Sequence, residues 1–197
     1  LERGPVFAQQ ATAGSLIATA AQAAFGLAYC RLALRGWPSA LSGGCVAFVG
    51  VAWPLQRSGW AQDALFPLAV AAILLALRGS PRIAGEPKTA RHARWDLPAR
   101  MTLMIGLVVG VTAVAPRLGP QASGVLAAFP FMGLILAAWS HHSTGPGAAQ
   151  DVLRGMVVGL LSFAVFFYAL SLALARSPLQ FACGLAIVAA LLTQAVV

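Results

Sequence analysis

Charged residues are scarce in this 197-residue chain. Only 9% of the residues are Asp, Glu, Lys or Arg, whereas soluble domains carry about 25%. The chain is 59% hydrophobic with a mean hydropathy of +0.82, so its polar residues are too few to cover a water-facing surface. The composition therefore predicts an integral membrane protein, and helices are expected because a helix satisfies its own backbone hydrogen bonds in lipid.

The chain also lacks the motifs of several kinds of site. Its cysteines, Cys30, Cys45 and Cys183, show no CxxC or Cys/His spacing, which predicts buried free thiols and not a metal site or a disulfide framework. No phosphate loop, HExxH pair or nucleophile elbow occurs. We therefore expect no enzymatic activity, no metal and no cofactor. The net charge of +8 is attributed to membrane topology and not to a nucleic-acid partner.

Seven apolar runs approach the length that crosses a bilayer, roughly 20 residues. They cover residues 10–34, 39–56, 61–78, 98–118, 121–140, 149–175 and 179–197. The second and third runs are short, and are either tilted spans or a tight pair that shares a re-entrant turn. The expected fold is thus an all-α polytopic membrane protein with about seven transmembrane helices.

Basic residues concentrate in and around one polar stretch, residues 79–97. Nearly half of the 13 basic residues fall there: Arg78, Arg82, Lys88, Arg91, Arg94 and Arg100. The positive-inside rule predicts that this loop is cytoplasmic, and alternation places Arg31, Arg35 and Arg154 on the same side. Binding of anionic lipid headgroups is the alternative role of the loop.

A shift of 141 residues aligns the first apolar run with the sixth without a gap. The identities include a Gly-Pro start, a glycine nine positions after the proline and a final arginine: Gly4, Pro5, Gly14 and Arg35 against Gly145, Pro146, Gly155 and Arg176. These two runs cross the membrane in opposite directions, which predicts an inverted repeat of the kind found in secondary transporters. The halves would be residues 1–78 and 98–197. Two runs precede the second copy, so we expect two further helices before Leu1, the second also broken by proline or glycine.

The fifth run, QASGVLAAFPFMGLILAAWSHH, carries Pro130 near its middle. A proline inside a helix removes a backbone donor and clashes with the carbonyl four residues back. In lipid the freed carbonyl needs another partner. One interpretation is a discontinuous helix whose carbonyls and Ser123 face a polar cavity; the other is a packing kink, since proline is common in membrane helices.

Four further positions are candidates for substrate binding or ion coupling. Asp151 and Arg154, one helical turn apart, are expected either to form an interfacial ion pair or to serve as a gate. His141, followed by His142, is either an interfacial loop residue or a proton-coupling group. Gln22, with Ser15 and Thr19 at helical spacing, either lines a polar stripe or makes ordinary interhelical hydrogen bonds. Two small-xxx-small patterns predict close helix packing within the chain or in a dimer: Gly106-xxx-Gly110 and Gly155-xxx-Gly159.

Residues 117–170 resemble small multi-spanning bacterial inner-membrane proteins, including the GlpM-like group. The likeness rests on the Gly-Pro…Ser-Gly…Ala-Phe-Pro segment of residues 119–130 and on the Arg-Gly helix that follows, and it covers about the last half of the chain. It implies a bacterial inner-membrane location and carries no residue roles with it.

Together these features predict a small secondary transporter or permease. Its site would lie where the Pro130 run meets the first and sixth runs, with these candidates: Gln22, Ser123, Pro130, His141, Asp151 and Arg154. The expected partners are the lipid bilayer, a small-molecule or ion substrate, and a second copy or another membrane subunit. The alternative is a non-transporting accessory subunit or scaffold that packs through its glycine faces.

Overall fold

A computed structural model describes residues 4–81, 96–114, 128–174 and 176–196, and these residues form α-helices without any β-strand. The helices are α1 (Gly4–Leu32), α2 (Trp37–Ser58), α3 (Gln62–Gly79), α4 (Asp96–Val114), α5 (Phe131–Ser143), α6 (Pro146–Leu174) and α7 (Leu179–Val196). The all-α prediction is confirmed, and the seven helices follow the order of the apolar runs. Within the described ranges, four helices are long and apolar enough to cross a membrane: α1 with its extension to Arg35, α2, α3 and α6.

Glycines with positive φ separate the first helices. Gly36 (φ 103°) follows a short 3-10 turn, Ala33–Arg35, and Gly59 (φ 63°) ends α2 in the left-handed conformation that glycine adopts without strain. The 22 residues of α2 and the 18 of α3 correspond to about 33 and 27 Å. Both are continuous helices close to the length that crosses the hydrocarbon core, and the alternatives of tilted spans and a re-entrant pair stay predictions.

The two longest helices, α1 and α6, form the centre of the bundle. Each is 29 residues long; α1 packs against α2, α3 and α6, and α6 packs also against α3, α5 and α7. They run antiparallel, because Gln150 near the start of α6 lies beside Cys30 near the end of α1. The core divides into one cluster around Phe25, Phe48 and Leu153 and a second around Leu16, Ile73 and Val157, which places α1 in both.

The outer helices expose large apolar side chains. These include Val46 on α2, Leu75 on α3, Ile105 on α4, and Phe181 and Leu191 on α7. Soluble monomers rarely expose contiguous apolar surface of this extent. The exposed apolar surface and the apolar helices agree with the prediction of a membrane protein.

The glycines at which helices approach closely do not belong to the two small-xxx-small patterns. A Cβ on Gly44 would lie 2.8 Å from the Phe25 ring, and one on Gly26 would lie 2.9 Å from Val157. The expectation of close packing within the described chain is wrong for the two patterns, because none of their glycines has a heavy atom within 4 Å of an added Cβ: Gly106, Gly110, Gly155 and Gly159. Packing of these glycines in a dimer stays a prediction.

Candidate functional site

Helix α5 does not continue through Pro130. Its first residue is Phe131, and Pro130 precedes it with φ −79° and ψ 61°, while Ala128 and Phe129 form a turn and a bend. Because α5 has only 13 residues, it is about 20 Å long and does not reach across the roughly 30 Å hydrocarbon core. The earlier part of the predicted fifth run, residues 121–127 with Ser123, lies outside the described residues.

The carbonyl at this interruption has a partner on α1. The Gln22 side chain donates from Nε2 to the carbonyl oxygen of Ala128 at 2.9 Å. Along α1 and its extension, Gln22 lies about 20 Å from Arg35. Along α5, Pro130 lies the same number of residues from Ser143, so both helices place this bond at the same distance from one end of the bundle. If these helices span a bilayer as predicted, the hydrogen bond would lie at a depth where water is scarce and an unpaired carbonyl is costly.

The rest of the predicted polar stripe of α1 faces its own backbone. The Ser15 hydroxyl donates to the Ala11 carbonyl at 3.0 Å, and the Thr19 hydroxyl donates to the Ser15 carbonyl at 2.8 Å. Of the three stripe residues, Gln22 alone bonds to another helix segment in the described hydrogen bonds. Gln22 therefore makes a hydrogen bond to another segment of the chain, whereas Ser15 and Thr19 bond within α1.

Aromatic rings pack around the interruption. The Phe129 ring lies 4.9 Å from that of Phe48, 4.8 Å from that of Phe131 and 6.0 Å from that of Phe25, measured between centroids. Pro130 itself is buried. The polar cavity of the first interpretation is therefore not found among the described neighbours of Pro130, where aromatic rings surround the single side-chain hydrogen bond from Gln22 to the Ala128 carbonyl.

A second bond joins α5 to α1 near the end of both helices. The Tyr29 hydroxyl lies 3.3 Å from Nδ1 of His141, with the two rings edge to face. His141 belongs to the last turn of α5 and not to a loop. Burial lowers the pKa of the His141 imidazole, which favours the neutral ring. In its Nε2–H tautomer the Nδ1 atom accepts from the Tyr29 hydroxyl, and in the other tautomer it donates. Its neighbour His142 is exposed.

The predicted Asp151–Arg154 ion pair is not formed. Arg154 instead donates from Nη1 to the Leu77 carbonyl at 3.1 Å, while Asp151 is exposed. Arg31 likewise donates from Nε to the Gly79 carbonyl at 3.3 Å. These arginines occupy carbonyls of the last turn of α3, which have no partner within that helix. Tertiary contact with α3 thus replaces the local pairing that the sequence spacing favoured.

We call the end of the bundle that contains these contacts the basic end. There α1, α3 and α5 finish and α6 begins, and four arginines lie in or beside the final turns: Arg31, Arg35, Arg78 and Arg154. Gln150, which is buried, donates from Nε2 to the Cys30 carbonyl at 3.0 Å and fixes α6 against α1. The grouping of these arginines at one end agrees with the alternation inferred from the sequence.

Two of these contact residues were not among the sequence candidates. Tyr29 carries no sequence signal of its own, because an aromatic residue near the end of an apolar run is ordinary in membrane proteins. Gln150 carried a usable signal, since it is one of the identities of the 141-residue alignment and lies beside Asp151. Its acceptor, a backbone carbonyl 120 residues away, has no signature in the sequence.

Helix α5 also borders a cavity of about 330 Å³, which lies between α2, α4 and α5. Apolar side chains form most of the wall, with the residues nearest the basic end being Trp37, Trp139 and His142. Leu41 and Leu134 line the cavity and also pack against the core cluster that contains Phe25 and Phe48, so the cavity adjoins the aromatic cluster.

The described residues define an all-helical fold with four helices of membrane-spanning length and a shorter helix, α5, that begins beside α1 directly after Pro130. Comparison of the chain with protein-family models, with curated proteins and with solved structures found no match.

Proposed function

We propose that the protein is a small secondary transporter of a bacterial inner membrane, with its substrate path along α5. The observation that carries the proposal is the hydrogen bond from Gln22 of the central helix to the Ala128 carbonyl at the interruption before α5. Secondary transporters form sites from discontinuous helices whose unwound carbonyls and half-helix ends lie near the membrane midplane. The neutral amide of Gln22 could release the Ala128 carbonyl and donate its hydrogen bond to a substrate group instead.

An inverted repeat is supported by the burial of α1 and α6. From Leu153 onward, the buried positions of α6 correspond under the 141-residue shift to buried positions of α1: Leu153, Val157, Leu160, Ala164 and Ser171 against Thr12, Leu16, Thr19, Ala23 and Cys30. Helix α1 is the more buried of the two and has further buried positions, such as Ala21 and Phe25, whose counterparts in α6 are only half-buried. The next helix in each half also packs on its predecessor, α2 on α1 and α7 on α6. Related helices of opposite direction at the centre of a bundle provide the interface at which such transporters bind substrate.

The basic end is assigned to the cytoplasm. Its arginines are Arg31, Arg35, Arg78 and Arg154, and residues 79–97 join α3 to α4 at the same end. Excess Lys and Arg in short loops is retained on the cytoplasmic side during insertion. His141 and its partner Tyr29 would then face the cytoplasmic end of the path, with Gln22 deeper in the membrane.

In this proposal α5 is the moving element. Two described side-chain hydrogen bonds tie the α5 segment to α1, one at Ala128 and one at His141. Protonation of His141 reverses the second bond and places a charge on a half-buried ring, which burial disfavours, so proton binding at the cytoplasmic end would loosen that end of α5. Asp151 is exposed near the start of α6, and its negative charge would attract cations to the cytoplasmic end of the path.

Ligand-dependent stability followed by flux tests the proposal. The purified protein would be heated in detergent with amino acids, carboxylic acids, sugars and inorganic ions in turn. A compound that raises the unfolding temperature would then be offered as a radiolabelled substrate to proteoliposomes with an imposed pH gradient. We expect gradient-dependent uptake that Gln22→Leu abolishes and Thr19→Val retains. If no compound stabilises the protein and no uptake occurs, transport is refuted.

The accessory-subunit alternative is favoured by a separate observation, the open glycine faces. Gly106 and Gly110 on α4 are exposed, and no described residue fills the space beside them. Such small-residue faces allow another helix to approach closely in a membrane. A stoichiometric membrane partner that is retained by the wild type and lost from Gly106→Ile, together with absence of flux, would favour this function.

A further inference from the structure

The cavity between α2, α4 and α5 has the dimensions of a binding site for a hydrocarbon chain. Its volume is about 330 Å³, at the lower end of ligand-pocket volumes, about 300–1,000 Å³. Its deeper wall contains Leu41, Leu103 and Leu134, so a polar solute would lose its hydration there without gaining hydrogen bonds.

The length of the cavity matches one leaflet of a bilayer. Leu134 and His142 line its two ends on α5, and a separation of eight helical residues is about 12 Å. Half of the hydrocarbon core is about 15 Å. The cavity therefore extends from the interface at the basic end to about the depth that a single acyl chain occupies.

The mouth of the cavity combines interfacial and basic groups. Trp37 is the first residue of α2 and Trp139 lies near the end of α5, positions at which tryptophan anchors to headgroups. His142 is exposed at the rim, and Arg35, also exposed, is separated from Trp37 by Gly36 alone. Positive charge at the mouth is complementary to a negatively charged headgroup.

We propose that this cavity binds one acyl chain of an anionic phospholipid, with its headgroup beside Arg35 and His142. The site does not depend on the proposed transport, because Gln22, Ala128 and His141 are not among the residues that line it. The lipid belongs to the leaflet at the basic end. Its chain fills the space between α4 and α5. Helix α4 packs against few of the other described helices.

Tryptophan quenching by brominated lipids tests the site, since two tryptophans line it. Two variants would each keep a single tryptophan in the whole chain. One keeps Trp37 at the cavity, and the other keeps Trp53 at the far end of α2, where it is exposed beside Arg57. Both would be reconstituted in phosphatidylcholine with increasing fractions of brominated phosphatidylglycerol. We expect Trp37 quenching to saturate at a low lipid fraction, while Trp53 quenching rises in proportion to the bulk lipid.

Brominated phosphatidylcholine and a brominated free fatty acid serve as comparison probes. Arg35→Gln should weaken the preference of Trp37 for phosphatidylglycerol over phosphatidylcholine by about fivefold, the effect of one basic group near a charged headgroup. Ala138→Phe should abolish saturable quenching by filling the cavity, and Val188→Phe, which adds a ring on the exposed surface of α7, should not.

Three outcomes would overturn the proposal. Identical quenching curves for Trp37 and Trp53 would show that only bulk lipid contacts the cavity. Equal quenching of Trp37 by the two phospholipids would show that the site does not select an anionic headgroup. Stronger quenching by the fatty acid than by phosphatidylglycerol would identify a free fatty acid as the occupant. The Arg35→Gln comparison keeps the test valid if Ala138→Phe does not fold.

Discussion

Gln22→Leu is the substitution that bears most directly on the interruption before α5. It removes the donor to the Ala128 carbonyl and keeps a side chain of similar length. Pro130 provides no backbone N–H, so few donors are available to replace the amide. Gln22 and Ala128 are both half-buried, and the carbonyl would be left without its described partner.

The magnitude follows from two limits. Interhelical hydrogen bonds inside membranes contribute about 0.6 kcal/mol on average and about 1.7 at most. A buried acceptor that loses its partner costs about 1–3 kcal/mol. Half-burial favours the lower part of this range, so we expect Gln22→Leu to lower the free energy of unfolding by about 1–1.5 kcal/mol, roughly a tenfold change in the unfolding equilibrium.

Reversible unfolding in mixed micelles, followed by circular dichroism, would measure this loss. Thr19→Val is the matched control, because Thr19 lies one turn away on α1 and its hydroxyl bonds only to the Ser15 carbonyl of its own helix. Thr19 is buried, but the Ser15 carbonyl keeps its helical N–H partner and valine has nearly the same shape as threonine, so we expect the control to change stability by less than about 0.5 kcal/mol. Hydrogen exchange adds a local measurement: the Leu134 amide, which donates to the Pro130 carbonyl, should exchange faster in Gln22→Leu. Equal stability and equal exchange in the two variants would refute the role assigned to Gln22.

Two other predictions concern His141 and the contact between α1 and α2. Burial lowers the folded-state pKa of His141, so the unfolded chain binds more protons and stability should fall as the pH decreases from about 6.5 through the lower folded pKa. His141→Gln should make the difference between unfolding free energies at pH 7.5 and pH 5 smaller; an unchanged difference would contradict this. Gly44→Ala should cost about 1–3 kcal/mol, because its Cβ would lie 2.8 Å from the Phe25 ring. Gly50→Ala, with nothing within 4 Å, should be neutral or stabilising in the same measurement.

The helices themselves could be predicted from the sequence because their signals are local. Apolar runs of bilayer length gave the order of all seven helices. Gly36 and Gly59 set the ends of α2, since each adopts a positive φ that other residues rarely tolerate. Proline at position 130 marked the start of α5 for a similar reason, because its ring prevents the preceding residues from continuing a helix into it.

The partners of the polar side chains could not be predicted in the same way. Gln22 was identifiable as a polar group deep in an apolar run, but its acceptor is a carbonyl 106 residues away. The spacing of Asp151 and Arg154 favoured a local ion pair, yet Arg154 bonds to the Leu77 carbonyl instead. An arginine at a bundle end is drawn to the unpaired carbonyls of a neighbouring helix, and that neighbour is determined by the tertiary fold.

The two bonds between the α5 segment and α1 differ in how they respond to protons, and in the proposed mechanism this difference would give α5 a direction of movement. The Gln22 amide does not titrate, so its bond to Ala128 persists over the physiological pH range. Protonation of His141 reverses its bond with Tyr29, which must then accept, and places a charge on a half-buried ring that burial disfavours. Acidification at the basic end would therefore favour hydration of His141 and loosen that end of α5, while the start of α5 stays attached to α1. Because the same helix also borders the cavity, loosening at His141 would alter the cavity without breaking the contact at Gln22.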